Sequence, residues 1–215
     1  MITVCGKGGL QGLIANNKLA TRKGDEFSIS VEILSQIAII KSRGDFMGTT
    51  YFIADTHFGD SAICRYENRP FETIEQMDAT LIFRWNSVVT AEDTVYVLGD
   101  FGANDYEAEV LSRLNGKKRL VKGNHDTKSN EEYRRFGFEE VYDCPIILDG
   151  FWILSHDALY VNTNMPYANL FGHVHNSPVI KDYSRHHFCV SVERIDYCPI
   201  KFDDIKRTIS QLCKE

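Results

Sequence analysis

The sequence has no Cys-x-x-Cys pair, no excess of positive charge and no long apolar run. Each absence removes a class of function. The six cysteines, Cys5, Cys64, Cys144, Cys189, Cys198 and Cys213, are scattered, so no thiolate zinc site is signalled. The opening MITVCGKGGLQG lacks the basic stretch and apolar segment of a secretory leader. The cysteines therefore read as reduced thiols, and a cytoplasmic location is expected. The longest apolar run near that end, IAII at Ile37–Ile40, is far too short to span a bilayer. With 24 basic against 30 acidic side chains the formal net charge is -6. That gives no footprint for duplex DNA or an anionic membrane. There is no repeat and no low-complexity tract. What remains is an ordinary globular composition, 43% hydrophobic and 25% charged over 215 residues. This is enough chain for one domain with a substantial core.

The chain changes character near Met47. Before it lie KGGLQG, NNK, TRKGDE and KSRGD, around one apolar patch, FSISVEILSQIAII, that fits a strand or a short helix. We expect residues 1–47 to be an extension outside the native domain, with Met47 a candidate native start, and residues 48–215 to be the domain proper. An intact-mass spectrum of natively expressed protein tests the start. From Gly48 onward strands and helices alternate. TTYFIAD, TVYVLGD and KRLVKGNHD read as short buried strands ending in polar residues. In FETIEQMDATLIFRWNSVV, Ile74, Met77, Leu81, Trp85 and Val88 share one helical face, and Thr73 with Gln76 suits a capping box. YEAEVLSRLNG reads as a helix capped by Gly116, and a further helix is expected around Ser129–Phe136. PIILDG and FWILSHD suggest a hairpin at Asp149-Gly150. NLFGHVHNSP, HHFCVSVE and a helix from about Asp203 follow. The first half predicts a right-handed parallel β-α-β-α-β arrangement, the second half a hairpin-rich sheet. Two packed sheets with helices outside is the simplest architecture.

Polar clusters recur where five strand-like runs end. They are Asp55 and His57 in IADTH, Asp100 in VLGDF, Asn124, His125 and Asp126 in KGNHD, His156 in ILSHD, and His173 and His175 in FGHVH. Ligands of open α/β sheets bind beyond the carboxyl ends of the strands. Any one fragment is ordinary: Asp-x-His at a strand end is usually a turn with a surface histidine, and Gly-Asp is usually a turn. Five together, in order, are not. Imidazole, carboxylate and amide oxygen suit Mn, Fe or Zn. There are more ligands than one structural zinc needs, so two ions about 3.5–4 Å apart sharing a carboxylate are the natural solution.

Those five blocks resemble the calcineurin-like metallophosphoesterases, and the likeness runs from about Gly48 to the C-terminus. It is nearest to small single-domain microbial and phage phosphoesterases. The resemblance implies an α/β fold, a four-layer α/β/β/α sandwich of two mixed sheets flanked by helices. It implies that Asp55, His57 and His175 bind a first metal, that Asn124, His156 and His173 bind a second, and that Asp100 bridges them. It implies that His125 is the phosphate-facing catalytic histidine and that Asp126 orients it. The implied activity is hydrolysis of phosphomonoesters, phosphodiesters or both, with a metal-bridging hydroxide attacking phosphorus in line. His125 would offset phosphoryl charge or protonate the departing alkoxide. The cofactors are two divalent ions, with Mn2+ favoured and Fe, Zn or Ni as alternatives. The expected partner is a small phosphate ester, with no membrane and no extended nucleic-acid surface; the sequence leaves the oligomeric state open. The alternatives are a non-catalytic metal-binding scaffold on the same fold, and a nuclease or cyclic-nucleotide phosphodiesterase.

Where relatives often read DTHFGH, this chain reads DTHFGD, with Asp60 in place of a second histidine. Arg69 and Asn124 are candidate substrate contacts, since a guanidinium matches phosphate oxygens; Arg65 and Lys122 fit solvated roles better. Asp157 is a candidate partner of a metal ligand. His186 and His187 read as surface or strand residues.

Overall fold

The structure is a computed structural model that describes residues 48–103 and 106–213, with two short strands before them. The chain divides into two units, Met1–Met47 and Gly48–Glu215. In the first, β1 (Arg22–Lys23) and β2 (Glu26–Phe27) pair antiparallel. Beyond Phe27, the apolar patch FSISVEILSQIAII lies outside the described residues.

The second unit opens as the alternation predicts. Strands β3 (Thr50–Ile53), β4 (Thr94–Val97), β5 (Lys117–Val121) and β6 (Glu140–Tyr142) are separated by α1 (Ile63–Tyr66), α2 (Ile74–Val88), α3 (Glu107–Arg113) and α4 (Asn130–Phe136). Strands β7 (Ile146–Leu148), β8 (Trp152–Leu154), β9 (Ala168–Phe171), β10 (His187–Cys189) and β11 (Ile200–Lys201) follow, then α5 (Phe202–Leu212). One sheet has the order β11-β3-β4-β5-β6, parallel except for β11; the other has the order β10-β9-β8-β7.

Side chains alternate along the buried strands and feed two cores. Tyr51, Ile53, Val95, Val97 and Leu120 meet Met77, Leu81 and Trp85 of α2. Phe52, Tyr96, Leu98 and Val121 face Trp152, Leu154 and Leu170 of the second sheet. Helix α5 joins this inter-sheet core through Phe202, Ile205 and Ile209. The result is the expected α/β sandwich of two mixed sheets flanked by helices.

Local details depart from expectation in three places. Thr73 accepts the Gln76 backbone N–H, but the Gln76 side chain accepts from Glu72 rather than completing the box. The full capping box is at Ser129 and Glu132, heading α4. Helix α3 ends at an extended Leu114, and Gly116 instead takes φ +80° in the link to β5. The second sheet contains only one hairpin, β7–β8, turning at Asp149 and Gly150; β8–β9 and β9–β10 are parallel. Links 155–167 and 172–186 exceed the roughly dozen residues a parallel connection needs, which the sequence pattern did not weigh. The sheets are laced at Ala54, whose N–H donates to Val190 O (2.9 Å) and whose carbonyl accepts from Val192 N–H (3.1 Å). Five described cysteines are free thiols. No helix among the described residues is long and apolar enough to cross a membrane.

Candidate metal centre

Five of the polar residues at the strand ends share an unusual backbone. Asp55, His57, Asp100, His173 and His175 have φ between 44° and 67°. Left-handed φ is rare away from glycine and costs about 1 kcal/mol or more per residue. Here it turns each strand sharply as it leaves the sheet, so that its side chains converge on one point. The loops lock together by backbone bonds: Asp55 N–H donates to Gly99 O and His57 N–H to Asp100 O, both at 3.0 Å. Two glycines let them approach. A Cβ at Gly99 would lie 2.3 Å from His156 Nδ1, and one at Gly123 would lie 2.3 Å from Asp100 Oδ1.

The convergence makes two clusters. One oxygen or nitrogen from each of Asp55, His57 and His175 lies within 4.8 Å of the others, and the same holds for Asp100, His156 and His173. Asn124 joins the second cluster, its Oδ1 at 3.0 Å from His156 Nε2 and 3.1 Å from His173 Nδ1. Asp100 stands between the clusters, with Oδ2 at 3.3 Å from His156 Nε2 and 3.6 Å from His57 Nε2. All seven residues named as ligands from the sequence therefore meet.

Three of the four histidines have one ring nitrogen turned outward to an acceptor and the other turned inward. His156 Nδ1 donates to Leu98 O at 2.9 Å, His175 Nδ1 faces Glu193 Oε1 at 3.0 Å, and His57 Nδ1 faces Asp60 Oδ2 at 3.5 Å. Such outer partners fix the tautomer and aim the inward lone pair. His57 Nε2 is buried with no hydrogen-bond partner. A buried orphan nitrogen is costly unless something coordinates it, so this donor set fits divalent cations.

The electrostatics agree. Burial draws the His57 imidazole down to about 4, keeping its lone pair free. Burial pushes the Asp55 carboxyl up, against the pull of His175 and His156. At Asp100 burial also works upward, but His156, the His125 backbone N–H and His57 outweigh it and hold the carboxyl at about 2. Burial would lower His156, yet Asp100 and Asp55 carry it up to about 9. Two buried carboxylates thus stand among four imidazoles, and His156 in particular supplies the positive charge that holds Asp100 ionised.

Other sequence expectations sort differently. His125 is exposed at the lip, its ring edge-on to His57 at 5.2 Å, with its backbone N–H on Asp100 Oδ1. Asp126 does not orient the His125 ring. Its buried carboxylate accepts from the backbone N–H groups of Asp100 (2.7 Å), Gly123 (2.8 Å) and Phe101 (3.2 Å). It ties the GDF loop to the GNHD loop, because buried amides need acceptors more than a solvent-facing imidazole does. Arg69 is likewise not a substrate clamp. Its guanidinium is buried behind the first cluster, donating to Asp55 O (2.6 Å) and Thr56 O (3.1 Å) and pairing with Glu193 at 2.7 Å. Glu193 was missed from sequence; it lies 18 residues beyond His175, at the end of HHFCVSVE, a stretch with no metal motif of its own. Asp60 braces His57 and accepts from Ala62 N–H. Lys122 pairs with Asp143 at 3.0 Å. Asp157 lies 3.7 Å from His173 Nε2 rather than on its neighbour His156. Arg65 is exposed, and His187 packs in β10 with Nδ1 on Ser184.

A profile of the family described as calcineurin-like phosphoesterase matches residues 48–207. An uncharacterized protein of Methanocaldococcus jannaschii is 35% identical over 173 residues, covering 77% of this chain and 93% of that protein. The gene 66 protein of Mycobacterium phage L5 is 36% identical over 85 residues, 37% of this chain and 41% of that one. Among solved structures, a protein of unknown function from Aquifex aeolicus superposes with a TM-score of 0.59 at 28% identity, over 75% of this chain and 100% of that one. With the profile covering residues 48–207 and both candidate ligand clusters within them, the chain belongs to the calcineurin-like phosphoesterase family.

Proposed function

We propose that this protein hydrolyses phosphate esters at a centre of two divalent ions, held by Asp55, His57 and His175 on one side and by Asn124, His156 and His173 on the other, with Asp100 shared. The observation that carries the reading is Asp100: one carboxylate within 3.3–3.6 Å of a histidine from each cluster. Two ions so held would supply an activated water and polarise the phosphoryl oxygens. Mn2+ suits a mixed nitrogen and oxygen set of this kind.

The chain's own residues do the rest. Asp55, at 0% exposure, and Asp100, at 2%, keep their carboxylates away from bulk water. Leu98 O and Glu193 occupy the Nδ1 sides of His156 and His175, so that the other ring nitrogen of each would face the ions. His125, exposed with its ring beside that of His57, would offset phosphoryl charge or donate a proton to the leaving oxygen. A cytoplasmic setting is part of this reading, on the scattered cysteines of the sequence.

The test is hydrolysis of bis-p-nitrophenyl phosphate and p-nitrophenyl phosphate by chelator-stripped protein, with and without Mn2+. Turnover restored by metal, and lowered roughly 10²–10⁴-fold by His125→Ala, is the expected result. No metal uptake by the stripped protein would sink the reading. The ratio of the two ester rates reports diester against monoester preference.

A further inference from the structure

One loop feeds both clusters. His173 belongs with Asp100 and His156, His175 with Asp55 and His57, and Val174 alone separates the two histidines in sequence. The offset between these histidines is therefore an offset between the two candidate ion sites. The near end of the loop is fixed from below. Gly172 N–H donates to His156 O (2.9 Å), and His173 N–H reaches both carboxylate oxygens of Asp55 (2.9 and 3.0 Å). The far end is gathered by one side chain, Arg194. Its Nε donates to the carbonyl of His175, its Nη2 to Ser177 O (2.7 Å), and its Nη1 to Ile180 O (2.8 Å) and Asp182 Oδ1 (2.9 Å). The Arg194 side chain is 4% exposed.

We propose that Arg194 is the positioning residue that sets His175 against His173, and so sets the spacing of the two ions. The inference rests on the two-ion reading above. Arg194 follows Glu193 in the short 3-10 turn Val192–Arg194. Val192 N–H of that turn donates to the carbonyl of Ala54 (3.1 Å), the residue before Asp55. Glu193 meets the His175 ring at Nδ1 (3.0 Å), while Arg194 takes the His175 carbonyl. One ligand is thus held at ring and backbone by successive residues of a turn that is itself tied to the first cluster's strand. His175 also carries φ +44°, a backbone state that persists only where its surroundings impose it. The loop asks for a fork rather than a charge. Its carbonyls need donors spread over a plane, which a guanidinium offers; an ammonium has all its donors on one atom.

The experiment compares wild type, Arg194→Lys and Arg84→Lys. Arg84 holds Asp196, just beyond the same turn, so its variant controls for general loosening there. Histidine-labelled NMR of metal-free protein, read at the ring Cε1 carbons, reports the ligand rings directly. Arg194→Lys is expected to shift or broaden the His175 resonance and to leave that of His156 in place; Arg84→Lys should leave both. A His175 resonance unmoved by Arg194→Lys, or moved equally by Arg84→Lys, overturns the proposal. Asp182→Asn removes an exposed partner of the guanidinium. It is expected to shift the same resonance less, and it decides the matter if Arg194→Lys does not fold. Loading with Mn2+ then reads the spacing. The electron paramagnetic resonance spectrum of wild type is expected to show an exchange-coupled pair. Arg194→Lys should weaken Mn2+ binding roughly 10–100-fold and lose the coupled signal at full loading. A coupled spectrum identical to wild type overturns the role in spacing. A wild type without a coupled pair sinks the two-ion reading and the spacing role with it, while the metal-free spectra show separately whether Arg194 holds His175.

Discussion

The two halves of the centre are built to different standards of enclosure. Asp55 and His57 are 0% and 4% exposed, and His175 is braced by Glu193, which Arg69 pins in turn. That Arg69 also holds the carbonyls of Asp55 and Thr56, so one buried guanidinium secures the backbone of one ligand and, through Glu193, the ring of another. Across Asp100, His156 is as buried as His57 and braced by Leu98 O, but His173 and Asn124 are exposed, and the carboxylate beside the outer nitrogen of His173 is the exposed Asp157. Enclosure and bracing suit an ion that stays; openness suits an ion that meets substrate and exchanges. The lesson is that ligand identity is alike in the two clusters while the surrounding shell is not.

The contrast can be broken outright at the residue the halves share. Asp100→Ala removes the bridge, and we expect hydrolysis to fall by roughly 10²–10³-fold or more, with metal stoichiometry by elemental analysis dropping below two. Retention of two ions would remove Asp100 from that role. The contrast is sharpened by a pair of outer carboxylates. Glu193→Gln should weaken Mn2+ binding to the first cluster roughly 10–100-fold, whereas Asp157→Asn should change affinity by less than about threefold. Calorimetric titration of stripped protein measures both, and equal effects would erase the proposed asymmetry. The smallest effect lies under the first cluster's loop. Burial pushes the Asp78 carboxyl, which accepts from Gly59 N–H, up from 3.8 to about 6. Across that window the folded protein keeps a proton that the unfolded chain has lost, so this group makes stability fall as pH rises from 3.8 to 6. Asp78→Asn should flatten that slope in melting temperatures recorded across the same range, and an unchanged slope would refute the assignment.

The convergence of the seven candidate ligands was legible because each sits in a short motif closing a buried strand. Polar residues on the lip of KRLV or TVYV have no core to enter, and their types are those metals choose. The shell was not legible. Glu193 and Arg69 are 124 positions apart, and only the parallel β9–β10 pairing and the lacing at Ala54 bring Glu193 behind His175. A charged side chain in a loop carries no mark of whether it faces water or a buried partner. Arg69 therefore read as a phosphate contact, and Asp126 as a partner for the imidazole beside it. Adjacency in sequence misled there: along a turn, a carboxylate reaches backbone amides more readily than its neighbour's ring. The second sheet was misjudged for a related reason, since hairpin signals are local and crossover connections are not.

The left-handed turns at Asp55, His57, Asp100, His173 and His175 set a limit on transplanting this chemistry. The seven converging side chains copied onto another sheet at matching strand ends would leave along the strand direction and miss one another. What must be carried across is a backbone posture at five positions, together with the glycines that leave room for it. The centre is in that sense a property of how the strands stop, and an engineer would have to graft the stops.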